Sequence, residues 1–254
     1  MSQETQHRES VLETEICEHL AAHGWLYSPS DDGYDRELAL FPEDVLGWLA
    51  DSQPEQLEKV VRPASTDAEQ EQARQKLLRR LRTALDLDPA KNGGVLHVLR
   101  NGFSELSAKF QMAQFKPATG LNPATLEQYG KMRLRVMRQV HYSKGRPNRS
   151  IDLVLFCNGL PVATIELKTD FTQSVTRGKV QYAESRLPTD PGTDVKEPLL
   201  TWGARAVVHF VVANQVVAMT TKLDGANTVF LPFNLGNEGS AGNPPDPEGP
   251  TTYF

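Results

Sequence analysis

Residues 149–170 read RSIDLVLFCNGLPVATIELKTD, two runs of branched and aromatic side chains joined across Asn158-Gly159. Asn-Gly between apolar runs marks a β-hairpin, because both residues tolerate the positive φ of a tight turn. A three-residue connection from Asn158 to Leu160 sets Cys157 opposite Pro161 and Asp152 opposite Glu166. A two-residue connection instead sets Cys157 opposite Leu160 and Asp152 opposite Ile165, and the pattern alone leaves both registers open. Independent of register, the period of two puts Glu166 and Lys168 on one face of the second strand, with Ile165 and Leu167 on the other.

Similar short runs lie on either side of the hairpin: VLHVLR (95–100), AKFQMAQF (108–115), RLRVMRQVHY (133–142), AVVHFVVA (206–213) and VVAMTT (216–221). They predict a mixed sheet. Residues 173–187, QSVTRGKVQYAESRL, interrupt them with a helix that tolerates Gly178. Before the sheet, apolar Leu12, Ile16, Leu20 and Ala21 recur at helical spacing up to a stop at Gly24. A short helix is expected from about Glu43, with Trp48 and Leu49 toward the core, and a long one over 67–87. The expected fold is α/β, a mixed central β-sheet flanked by helices, in one domain over 1–235. From 236 to 254 the Gly/Pro-rich composition predicts a loop or linker.

The chain has 254 residues, 39% of them hydrophobic and 23% charged, which suits an ordinary folded domain and excludes a disulfide-stapled miniprotein. No apolar run approaches a membrane span. The opening MSQETQHRES lacks a signal-peptide core, and Cys17 and Cys157 make no disulfide or zinc framework, so a cytoplasmic protein without a membrane partner is expected. No G-x-x-x-x-G-K-[ST] phosphate loop occurs, since Gly130-Lys131 and Gly178-Lys179 are followed by Met and Val.

The net charge of −5 conceals a polarity along the chain. Residues 1–60 hold 14 acidic side chains against 3 basic ones. Residues 116–149 hold Lys116, Lys131, Arg133, Arg135, Arg138, Lys144, Arg146 and Arg149 against the single acid Glu127. Such a stretch can meet a phosphate backbone even on an acidic protein, or can be an ordinary solvated strand and loop.

Asp152, Glu166 and Lys168 are the only charges in otherwise apolar strands. A buried carboxylate is costly unless paired, protonated or bound to a cation, so two beside a lysine suggest a divalent-metal site. Mg²⁺ suits carboxylate oxygens, and no Cys/His cluster suits zinc. In this reading Asp152 and Glu166 hold the ion while Lys168 orients water or stabilises charge on the phosphate. The same residues also read as a strand cap and a salt-bridged strand end. Glu13, at the border of the first helix's apolar stripe, is the candidate third metal-directed carboxylate, preferred over Glu15, and reads equally as an ordinary border residue of an amphipathic helix. Gln181, on the later helix beside Tyr182, approaches the lysine or a phosphate, or is simply an exposed polar residue. His209 reads as a core histidine, and Trp25, Trp48 and Trp202 as core or edge aromatics.

The chain resembles the amino-terminal nuclease domain of the restriction (motor) subunit of Type I restriction-modification enzymes. The resemblance is carried by E-x-x-I-x-x-x-L-x-x-x-GW from Glu13 to Trp25, ELALFPEDVLGWL (37–49), FKPATGLNP (115–123), RLRVMRQVHYS (133–143), SIDLVLFCNGLPVATIELKTDFTQSV (150–175) and MTTKLDGANTVFLPFNLG (219–236). It covers nearly the whole chain. It extends to the PD-(D/E)xK nuclease superfamily, where Asp152, Glu166 and Lys168 match the two acids and the lysine, with Ile151 in place of the motif's proline. The family's Q-x-x-x-Y is matched only at Gln181, since Ser185 stands four positions on.

This resemblance implies a restriction-endonuclease-like fold and Mg²⁺-dependent, nonspecific cleavage of double-stranded DNA. The implied catalytic residues are Asp152, Glu166, Lys168 and Gln181, and the implied metal-directed ones Glu13, Asp152 and Glu166. ATP would serve only motor domains that these residues lack, so a fragment of a longer subunit is expected. Its expected partners are duplex DNA and separate modification and specificity subunits. A non-catalytic scaffold of the same fold, and a nuclease acting on RNA or single strands, are the competing classes.

Overall fold

A computed structural model describes residues 3–61, 66–168 and 174–243. The stretch 169–173 and the Gly/Pro-rich tail from 244 onward lie outside the described residues. The centre is a seven-stranded sheet. Its members in chain order are β1 (Leu26–Ser28), β4 (Leu134–His141), β5 (Ser150–Cys157), β6 (Leu160–Leu167), β7 (Val208–Val212), β8 (Val217–Thr220) and β9 (Leu231–Pro232), and this is also their spatial order. β1 runs parallel to β4 and β6 parallel to β7; the other neighbours are antiparallel, so the sheet is mixed.

Strand alternation divides the core into two faces. Val136, Leu153, Ile165 and Leu167 point to one side, where α1 (Gln3–Ala22) lays Leu12 and Cys17 against them. Met137, Val154 and Phe156 point to the other, where they share a cluster with Tyr182 of α7 (Ser174–Ser185). α7 links the parallel strands β6 and β7, as such a crossover requires. Gly178 lets this helix lie close, for a Cβ there would sit 2.3 Å from Val211 Cγ1. That contact explains a glycine inside a helix.

A separate helical layer gathers around Trp48 and Leu49 of α2 (Pro42–Ser52), both fully buried. α3 (Pro54–Val61) and α4 (Asp67–Asp86) complete it, α4 opening with a reciprocal Thr66–Glu69 capping box. Two expected strands are corrected here. VLHVLR lies within helix α5 (Gly94–Asn101), because Val95, Val98 and Leu99 bury one helical face and leave Leu96 exposed. AKFQMAQF is a strand only over β3 (Ala108–Phe110), which pairs with β2 (Phe103–Glu105) in a separate ribbon outside the central sheet. Helix α6 (Pro123–Gly130) buries no residue.

The hairpin combines both anticipated registers. Cys157 pairs with Leu160 and Phe156 with Pro161, so the turn is the two-residue one, Asn158 and Gly159 having φ of 49° and 79°. The register then shifts, Leu155 pairing with Ala163 and Leu153 with Ile165, which leaves Val162 as the extra residue. The bulge sits beside Pro161, whose missing N–H weakens the ladder there. Continued by one residue, the shifted register sets Asp152 opposite Glu166.

The basic stretch is largely neutralised from within. Arg135 pairs with Asp44, Arg133 with Asp51, Arg138 with Glu13, Lys144 with Glu37, and Arg146 and Arg149 with Asp190. Four of these five acids, all but Asp190, belong to the acidic first 60 residues, which pack against the basic strand region that follows, so the stretch is not an open cationic face. Among the described residues, no helix is long and apolar enough to cross a membrane.

Candidate active site

The opposed strands β5 and β6 bring Asp152 and Glu166 to the face covered by α7. The backbone N–H of Leu167 donates to Asp152 Oδ2 at 2.7 Å, fixing the first carboxylate to the neighbouring strand. Glu166 is fully buried, and two side chains from the α7 region reach it. Gln181 Nε2 donates to Oε2 and Arg186 Nε to Oε1, each at 2.7 Å. Gln181 therefore meets the second carboxylate rather than the lysine. Tyr182, one position on, turns into the core and shares a 2.8 Å hydrogen bond with Thr164 Oγ1.

Lys168 follows the last residue of β6 and straddles the end of the sheet. A Cβ on Gly178 would lie 3.4 Å from Lys168 Cγ, which puts the stem beside α7. The ammonium donates to Leu167 O at 2.7 Å and stands 4.0 Å from Glu9 Oε1 of α1. Glu13, one helical turn after Glu9, is buried, and Arg138 Nη2 donates to its Oε2 at 2.9 Å. Gln139 Nε2 donates to Glu13 Oε1 at 3.1 Å and to Asp152 Oδ1 at 3.4 Å, so Glu13 meets the pair through an amide. Glu15, the alternative on that helix, is exposed.

Electrostatics single out Glu166. Burial first, then the adjacent Asp152 charge, raise its pKa to about 8 against the opposing pull of Arg186 and Lys168. Burial, together with Asp152 and Glu13, also raises that of Glu9, which Lys168 opposes. Such carboxylates gain from a nearby cation. Among the described residues, no three His, Cys, Asp or Glu side chains gather to hold an ion by themselves. Two opposed carboxylates nevertheless fit Mg²⁺, a hard ion that takes one or two carboxylates and fills its other positions with water and substrate phosphate.

Three members of this constellation escape the sequence reading. Glu9 carries a usable signal, since it precedes Glu13 by four residues on one helix face. Arg186 and Gln139 carry none. Gln139 has a φ of 47° within β4, a conformation rare for a residue with a side chain. The remaining candidates have structural surroundings: His209 is buried with Nδ1 2.7 Å from Thr164 Oγ1, and Trp48 Nε1 donates to Gln111 O at 2.7 Å. Trp202 is half exposed.

A mixed sheet with helices on both faces, two carboxylates on opposed strands and a lysine two residues after the second define the restriction-endonuclease-like α/β class. Residues 6–228 match the family described as Type I restriction enzyme R protein N terminus (HSDR_N), and the chain belongs to that family. No curated protein matches the chain in sequence.

Proposed function

We propose that this chain is an Mg²⁺-dependent DNA endonuclease domain that hydrolyses phosphodiester bonds in duplex DNA. The observation that carries the reading is two carboxylates on paired strands, Asp152 and Glu166 each adjoining the matched Leu153 and Ile165, with Glu166 buried and held by Gln181. Asp152 and Glu166 would hold the ion, which when bound polarises the phosphodiester and lowers the pKa of an attacking water. Lys168 donates to the phosphate or orients that water, using an ammonium whose one hydrogen bond among the described residues is to its neighbour's carbonyl. Gln181 keeps Glu166 in place, and the Leu167 N–H does the same for Asp152. Glu13 is the third metal-directed carboxylate of this reading, standing on α1 with its oxygens accepting from Arg138 and Gln139 and linked to Asp152 through the Gln139 amide.

Family membership supports a wider setting, in which this domain works within a Type I complex beside modification and specificity subunits, the latter reading the DNA sequence. ATP would then be used by motor domains elsewhere in the subunit. The nuclease domain is assigned to 1–235 with a linker beyond. Residues 236–243 are nonetheless tied to the sheet, Asn243 N donating to Gln215 O at 3.0 Å. The internal pairing of the basic strand favours catalysis over a scaffold that binds DNA through that stretch.

Supercoiled-plasmid cleavage with Mg²⁺ or Mn²⁺ tests the proposal. Nicking or linearisation that disappears in Asp152→Ala, in Lys168→Ala and with EDTA is expected. Cleavage unchanged in both variants would place the activity elsewhere. If the wild-type chain cuts neither alone nor within the assembled complex, the scaffold reading replaces this one.

A further inference from the structure

A carboxylate with no exposed surface needs a cation beside it, and removing a single partner from such a pair leaves an uncompensated charge. The strand pattern offers Lys168 for this role at Glu166, two residues away, but the Lys168 ammonium is turned to Leu167 O and Glu9. The partner is Arg186, the first residue after α7, with its side chain only 11% exposed. We propose that Arg186 is the resting counter-ion of the candidate centre, occupying Glu166 in the metal-free domain and competing with the divalent cation for it. The inference rests on the metal-centre reading above and adds a control on how the centre fills.

Three observations support competition rather than a permanent structural pair. First, Arg186 holds Glu166 through Nε alone, not through the two-point fork that makes arginine–carboxylate pairs strong. Second, Arg186 has anchors of its own. Its backbone N–H donates to Tyr182 O at 3.3 Å, and its guanidinium carbon lies 5.9 Å from the centre of the Tyr142 ring. Tyr142 OH in turn donates to Ser185 O at 3.4 Å. The guanidinium thus keeps contacts when Glu166 turns away from it.

Third, the other oxygen of Glu166 is held by the neutral amide of Gln181, so orientation and charge balance come from different residues. Once Glu166 gives up its proton to bind a metal, the charges of Asp152, Glu166, Lys168 and Arg186 sum to zero. Without Arg186 the centre carries one negative charge toward an incoming dication.

The test is calorimetric titration of the DNA-free wild-type chain with Mn²⁺, beside Arg186→Gln, Arg186→Lys and Asp152→Asn. Arg186→Gln is expected to bind Mn²⁺ about tenfold more tightly than wild type, since one opposing charge near the ion is gone. Arg186→Lys, which keeps the charge, is expected close to wild type. A second readout uses the unaltered chain: the ¹H–¹⁵N signal of the Arg186 Nε–H should shift as Mg²⁺ is added, with the midpoint of metal binding. This signal decides the matter alone if Arg186→Gln does not fold.

Equal or weaker Mn²⁺ binding by a folded Arg186→Gln chain, or an Nε–H signal that Mg²⁺ leaves in place, overturns the inference. If Mn²⁺ binding by wild type is lost in Asp152→Asn while Arg186→Gln gains nothing, the inference fails and the metal centre stands. If wild type binds no Mn²⁺, both fail.

Discussion

The carboxylate of Asp44, fully buried near the start of α2, grips the guanidinium of Arg135 on β4 through both oxygens, at 2.6 Å to Nε and 3.0 Å to Nη2. Arg135 also lies 4.3 Å above the centre of the Phe41 ring and is only 12% exposed. Asp44→Ala strands that guanidinium in the interior and is expected to cost about 3–5 kcal/mol in urea unfolding. Adding Arg135→Met should restore much of the loss, because an apolar side chain then replaces the unpaired charge. A double variant no more stable than the single one would show that the pair is not what links α2 to the sheet.

Gln139 combines an unfavourable backbone with a bridging side chain. Its φ of 47° interrupts β4 where its amide meets Glu13 and Asp152. Ala and Gly at this position both delete the amide, but only Gly relieves the backbone. Gln139→Gly is therefore expected to be more stable than Gln139→Ala by about 1 kcal/mol. Both should lose cleavage alike, by about 10–100-fold, if the amide is what holds Asp152 in place. Denaturant midpoints and plasmid cleavage measured on the same preparations separate the two roles.

Removing the Gln181 amide leaves Glu166 Oε2 without its 2.7 Å donor in a site with no solvent exposure. Gln181→Ala is expected to lower cleavage about 10–100-fold, the usual loss when a residue orienting a metal ligand is removed. Gln181→Glu keeps the size but sets carboxylate against carboxylate, and should be less active still. Wild-type rates in Gln181→Ala would make the hydrogen bond incidental to catalysis.

The sequence carries much of the sheet because its strands are short apolar runs separated by turn residues, and Asn158-Gly159 located the hairpin. Periodicity failed at VLHVLR, where Val95, Val98 and Leu99 satisfy a helical face as readily as branched residues suggest a strand. Register was not legible: Asn-Gly placed the turn but left its length open between two and three residues, and the Val162 bulge depends on what the ladder does around Pro161. Within the site, residues on one strand could be placed by their period of two. Arg186 and Gln139 meet their partners only through tertiary packing, by way of a helix end and a left-handed strand residue. The charge polarity was visible, yet its meaning was not, because a count along the chain does not say which acid faces which base.

His209 supplies a prediction of opposite sign to that of Glu166. Burial lowers the His209 pKa to about 3, so the folded chain keeps it neutral where the unfolded chain, with a pKa of 6.5, takes up a proton. Below 6.5 the unfolded state binds the extra proton, and His209 destabilises the fold by up to about 1.4 kcal/mol for each further pH unit. Glu166, raised from 4.5 to about 8, holds a proton in the folded state that the unfolded state lacks, so it favours folding as pH falls through that window. Between pH 6.5 and 4.5 the two contributions offset each other in the wild type. His209→Asn keeps a polar group for Thr164 and removes the titration, so its stability relative to wild type should improve steadily on acidification through that range. Urea unfolding of both chains at several pH values measures the difference, and a difference independent of pH would mean that His209 takes up its proton in the folded protein.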